Sequence, residues 1–219
     1  MSVAEPDLEP EEGWIEAPVA QEFPGLRLLT VALRAGPGPS LGGARRQLQL
    51  LSDRFRGNRA ISLRGEPVPH AYRVFFRSVG LDPDATRTPI EAAVLDRLME
   101  GGFRAQGRIE DALLIALVET GVPVWALDDE RLDGPLGIRM AHSGERLGEG
   151  DFAPELRPGA LVVADAAHAV AQLFGAPVDR CAPAPKTARV RLFTLLVPGV
   201  PRIYAEEALW LATASLGAD

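Results

Sequence analysis

At 219 residues and a formal net charge of −7, the chain is long enough for a sizeable core, and its overall acidity argues against general nucleic-acid affinity. Its 47% apolar and 24% charged residues are the balance of an ordinary globular protein, and no apolar run approaches the roughly 20 residues a membrane span needs. One cysteine, Cys181, excludes an internal disulfide, so a cytoplasmic protein without membrane association is expected.

Residues 1–22 carry six of their seven acids before Ala17 and show little periodicity. They lack the basic-then-apolar order of a signal peptide and read as a disordered or loosely docked acidic tail. Leu26 to Leu33, "LRLLTVAL", is a predicted strand, and "RAGPGPSLGG" is a loop broken by Gly and Pro. Inside that loop "GPSLG" fits the G-x-S-x-G of a nucleophile elbow. Pro37 and Pro39 spread the connection too widely for the tight turn an elbow needs, so a surface loop is the better reading.

Ala44 to Phe55 has helical spacing, with Leu48 and Leu51 on one face, and a short helix is expected over His70 to Val79, ending at Gly80. Thr88 is the N-cap of the next helix. Pro89 occupies the first helical position and Glu91 the third, which is a capping box, and Gly101 and Gly102 stop the helix. A further helix spans Ile109 to Thr120 and ends at Gly121. Strand patterns then dominate, in "VPVWALD", "LGIRMA", "GALVVAD", "AHAVAQLF" and "ARVRLFTLLV", before a closing helix from Tyr204 to Ser215. Helices early, a mixed and largely antiparallel sheet late, and a C-terminal helix predict an α+β (mixed α/β) fold.

Charge is unevenly spread. Residues 27–108 hold 14 arginines against seven acids, while 109–219 hold nine bases against 16 acids. The basic block suits a phosphate backbone on one reading and a solvated surface on the other. His70, His142 and His168 are not at metal-ligand spacing, and the acids from Asp128 to Asp133 miss the calcium-loop pattern, so no metal is expected. Arg87, Glu91 and Asp111 are candidates for a polar pocket at helix N-termini, where amides favour anions. Their plainer roles are capping for Glu91 and an ion pair of Arg87 with Asp111.

Taken together, "YRVFFRSVGLDPDATRTPIEA" and "IEDALLIALVETGVPVWALDDERLDGPLGIRMAHSGERL" resemble the B3/B4 domain, the editing domain of the phenylalanyl-tRNA synthetase beta subunit, which also occurs as free-standing proteins. The resemblance implies a single B3/B4-like domain over residues 23–219 and hydrolysis of a mischarged aminoacyl-tRNA in trans. The alternative is a non-catalytic binding protein whose apolar pocket takes an amino-acid-like ligand or a protein partner. The resemblance to the editing domain implies tRNA as a partner and no cofactor.

The family's Arg-Pro-Ser-x-Glu appears as Arg87, Thr88, Pro89, Ile90 and Glu91. Its Val-Asp-x-x-Asn keeps Asp111 but has Leu114 for the asparagine, and its His-Ala-Phe-Asp keeps Asp128 but has Trp125 for the histidine. Thr187 matches a threonine before the last strand, and Phe193 falls where the synthetase has the glutamate that recognises the tyrosine hydroxyl. Arg87, Thr88, Glu91, Asp111, Leu114, Trp125, Thr187 and Phe193 are therefore the pocket candidates. Arg45, Arg46, Arg73 and Arg77 are the RNA-binding candidates. Leu114, Trp125 and Phe193 would deprive a tyrosine hydroxyl of partners, and Thr88, Thr187 and loop amides are left to polarise an ester carbonyl.

Overall fold

The computed structural model describes residues 9–55, 62–150 and 153–217. Arg56 and Arg59 of the basic block and the first eight residues of the acidic segment lie outside them. The architecture is α+β, with six helices and two four-stranded sheets among the described residues.

One sheet is antiparallel throughout. Its order is β1 (Glu11–Glu12), β3 (Arg27–Leu33), β8 (Val190–Leu196) and β4 (Val124–Asp128). Strand β8 lies between two partners, with Thr30 and Trp125 both opposite Phe193. Five of its seven residues are fully apolar, as expected of a strand covered on both faces, and only Arg191 reaches partly out. The other sheet runs β2 (Trp14–Ile15), β5 (Gly137–Met140), β6 (Leu161–Ala164) and β7 (Ala169–Gln172). Strand β2 joins β5 in parallel, the other pairs are antiparallel, and a register shift interrupts β6 and β7 at Val163/Ala164.

Six helices are found among the described residues. They are α1 (Ala17–Glu22), α2 (Gly42–Arg54), α3 (Pro67–Ser78), α4 (Pro89–Glu100), α5 (Arg108–Thr120) and α6 (Arg202–Gly217). Helix α6 packs on α5 and across β3 and β8. The main core draws on both sheets and on α3, α5 and α6. A second cluster is helical: Leu48 and Leu51 of α2, Ile90 and Val94 of α4, and Ile115 and Val118 of α5. Gly101 and Gly121 end α4 and α5 in the left-handed conformation, at φ 80° and 75°.

The acidic segment differs from its expectation. Residues 11–22 are docked as β1, β2 and α1. The physical reason is that Val19 and Trp14 have seats in the fold and that Glu11, Glu12 and Glu16 have specific partners. Val19 is fully buried, and the Trp14 indole N–H donates to the Pro135 carbonyl at 3.0 Å. Glu16 accepts from the Met140 N–H at 3.0 Å, Glu11 lies 3.7 Å from Arg191, and Glu12 pairs with Arg202. Gly13 is the pivot between the sheets: a Cβ there would lie 2.5 Å from the Leu136 carbonyl oxygen and 2.5 Å from Leu28 Cδ2. None of the described helices is long and apolar enough to cross a membrane.

Candidate functional site

The N-terminus of α4 carries the capping box read from the sequence. Glu91 Oε2 accepts from the Thr88 amide at 3.2 Å and from the Thr88 hydroxyl at 2.9 Å. Its other oxygen serves a buried ion pair: Arg73 Nη1 donates to Glu91 Oε1 at 2.6 Å, and Arg64 Nε approaches the same oxygen at 2.9 Å. Arg73 Nη2 reaches Asp84 Oδ1 at 2.6 Å, and Arg64 and Arg77 each stand 3.7 Å from the Asp84 carboxylate. Hydrogen bonding to Asp84 holds the Arg73 guanidinium above its usual range, and the same bond holds Asp84 below the usual carboxylate range. With 7% of its surface exposed, Arg73 is a buried structural cation and does not face a nucleic acid, contrary to its place among the RNA-binding candidates. Burial of a charge at this depth is sustained only by such pairing. Arg77, Arg45 and Arg46 are exposed.

Arg87 is exposed and lines a cavity of about 180 Å³ together with Glu91 and Arg64. Asp111 does not join them. Buried at the start of α5, it accepts from the Gln106 amide at 2.8 Å, from the Gly107 amide at 3.4 Å and from the Ser40 hydroxyl. The expected Arg87–Asp111 pair is thus replaced by a loop-to-helix tie, and Ser40 of the elbow-like loop is a ligand of Asp111. Leu114 is half-buried against the helical core cluster.

The aromatic candidates do come together. Trp125 and Phe193 are cross-strand partners whose rings stack at 5.2 Å and 15°. Phe193 is buried and Trp125 half-exposed. Phe174 extends the cluster, 6.4 Å from Trp125, 4.5 Å from Phe76 and 6.1 Å from Tyr72. Phe174 escaped the sequence reading, and with φ at 65° it is the one non-glycine residue in the left-handed region among those described. Nothing in "QLFGAP" announces that conformation, although the glycine after it marks a turn. Beneath the cluster the Tyr72 hydroxyl donates to the Leu195 carbonyl at 2.7 Å, and burial pushes its pKa well up.

Thr187 sits at the edge of the same sheet. Its hydroxyl donates to Asp128 Oδ2 at 2.6 Å and accepts from the Ala184 amide at 2.9 Å. The hydroxyl protons of Thr88 and Thr187 are therefore both committed to carboxylates, and neither is free to polarise a carbonyl. Asp129 is engaged by Arg189 at 2.8 Å and by Arg191 at 2.6 Å, and Asp128 lies 3.5 Å from Arg131, so these two acids are held in ion pairs. Among the described residues no group of three or more His, Cys, Asp or Glu is placed to hold a metal ion. Burial pushes the Cys181 thiol up, away from the reactive thiolate.

The family model described as the B3/4 domain matches residues 71–178. That span includes Arg87, Thr88, Glu91, Asp111, Leu114, Trp125 and Phe174, and leaves Thr187 and Phe193 outside it. Phenylalanine–tRNA ligase beta subunits are similar to the chain. That of Xanthomonas axonopodis pv. citri (strain 306) is 37% identical over 93 residues, 42% of this chain and 11% of the relative. That of Streptomyces avermitilis is 38% identical over 68 residues, 31% of this chain and 8% of the relative. That of Colwellia psychrerythraea is 35% identical over 101 residues, 44% of this chain and 12% of the relative. The chain thus matches about a tenth of the length of these relatives.

Proposed function

Because the chain carries a B3/4 domain, we propose that it acts in trans on aminoacyl-tRNA, hydrolysing the ester of a mischarged species. The observation that carries this reading is the family match, joined by 37% identity to a phenylalanine–tRNA ligase beta subunit. Such a role belongs in the cytoplasm and needs no cofactor, because the ester requires only a placed water and donors for the developing oxyanion. With the Thr88 and Thr187 hydroxyls committed, backbone amides are the donors.

The side chain of the mischarged amino acid lies against the half-exposed face of Trp125. Phe193 is apolar, Leu114 packs in the separate helical cluster, and the Trp125 indole offers one donor and no acceptor, so the preferred substrate carries an apolar side chain and discrimination against close analogues is modest.

The test is a deacylation time course on a panel of correctly and wrongly charged tRNAs. Faster release than in buffer is expected for an apolar mischarged species, with little preference for tyrosine on the phenylalanine tRNA. Trp125→Ala should slow that release about tenfold or more. Release at the buffer rate across the whole panel sinks the reading.

A second reading, binding without turnover, is favoured by one observation: each polar candidate except Arg87 already has an internal partner. It predicts a rise in melting temperature with ligand and no hydrolysis.

A further inference from the structure

The arginine cluster around α4 has a property that the pocket reading leaves unused. Arg64, Arg73, Arg77 and Arg87 surround two carboxylates, Asp84 and Glu91. Asp82 adjoins them, with one carboxylate oxygen accepting from the Asp84 amide at 2.9 Å. The carboxylates hold Arg64 and Arg73 in fixed orientations, yet the positive charges outnumber the negative. No hydrogen bond or ion pair ties Arg87 to a described residue. Arg64, Arg87 and Glu91 line the cavity of about 180 Å³ together with the apolar Leu63, Val94, Leu95 and Leu98. Leu98 is 43% exposed and its neighbour Met99 77% exposed, an apolar shelf that no element of the fold covers.

One held guanidinium, Arg64, and two exposed ones, Arg77 and Arg87, beside an exposed apolar shelf suit a phosphodiester anion joined to a flat, weakly polar ring. Guanidinium forks bind phosphate oxygens strongly, and an unstacked base can pack its face against aromatic or apolar side chains. We propose that Arg64, Arg77 and Arg87, with the Leu98 shelf, form a docking site for single-stranded RNA. The phosphates lie on the guanidiniums and a base lies against Leu98. This rests on the reading of tRNA as partner and names the surface that would meet it. Arg73 acts only by positioning, through Glu91 and Asp84.

The test is fluorescence anisotropy of labelled, unfractionated, uncharged tRNA titrated with the full chain at several salt concentrations. Arg87→Gln is expected to raise Kd about three- to tenfold and to lower the slope of log K against log salt by about 0.7–0.9, one released counterion. Leu98→Ala should raise Kd and leave that slope unchanged. Arg87 has no described partner, so Arg87→Gln should melt like the wild type. Wild-type Kd and slope in both Arg87→Gln and Arg77→Gln would overturn the proposal. So would binding of polyglutamate with the same affinity and the same response to Arg87→Gln, which would mark a general polyanion surface. An absence of deacylation with arginine-dependent tRNA binding intact would defeat the hydrolysis reading alone. Deacylation that is indifferent to Arg87 and Leu98 would defeat only the docking site.

Discussion

Glu145 shows how one side chain sets an acid limit. Arg139 grips it with both guanidinium nitrogens, at 2.7 and 2.5 Å, and the His142 amide adds a bond at 2.9 Å. The Arg139 bond, working against burial, holds its pKa at about 2, below the ordinary 4.5. A carboxylate depressed in the folded state stabilises fully above its unfolded pKa and loses that contribution as pH falls. The expected loss is about 3 kcal/mol between pH 4.5 and 2. Urea midpoints measured across that window should fall for the wild type and stay flatter for Glu145→Gln, which starts less stable at neutral pH. For Trp125→Ala the same titration should report a loss of about 2 kcal/mol, under the range for fully buried aromatics because the indole is half-exposed. At this scale the sequence is legible where partners are local. The capping box links Thr88 to Glu91 within one turn and reads directly. Arg73 read as a surface cation because its acid partner is 18 residues away and its burial is decided by packing.

Among the elements, helices α2 to α6 and strands β3 to β8 were all expected near where they lie. Caps, glycine stops and apolar periodicity act over a few residues, so they leave a trace in the chain. Strands β1 and β2 leave none. Each has two residues, too few for alternation, and the seat of Trp14 is 121 residues away at Pro135. Two of the acids that suggested disorder, Glu11 and Glu12, are ion-pair partners. Gly13 tests this docking. Gly13→Ala places a methyl group against the Leu136 carbonyl and the Leu28 side chain, and a loss of about 2 kcal/mol is expected for such overpacking. Differential scanning calorimetry should show the lower midpoint, and limited proteolysis should cut near residue 13 first. A wild-type midpoint would mean that the segment contributes little to stability.

For the molecule as a whole, the α+β order was legible and the division of the late strands between two sheets was not. Pairing partners such as Arg27 with Leu196 and Trp14 with Gly137 are fixed by three-dimensional closure, which no local pattern encodes. The candidate site divides in the same way. Residues that share a strand pair, Trp125 and Phe193, meet as a stack. Asp111 and Arg87, each plausible at a helix start, belong to different corners of the molecule, one with Ser40 and the other in the cavity beside α4. Charge pairs largely within each region: Arg64, Arg73 and Arg77 of the basic block meet Asp84 and Glu91 of the same block, and Arg189 and Arg191 meet Asp129, while Glu11 and Glu12 of the N-terminal segment reach Arg191 and Arg202.

The bridge at Gly13 also bears on time. Its amide bonds to Leu28 in one sheet, and the next amide, of Trp14, bonds to Leu136 ahead of β5 in the other. Each bond needs a different sheet in place, so the segment is fully docked only once both sheets have formed. Once formed, the pair is a built-in gauge. Hydrogen exchange at the Gly13 and Trp14 amides reads out how often the two sheets part, and exchange at both together would mark them as separate units of opening.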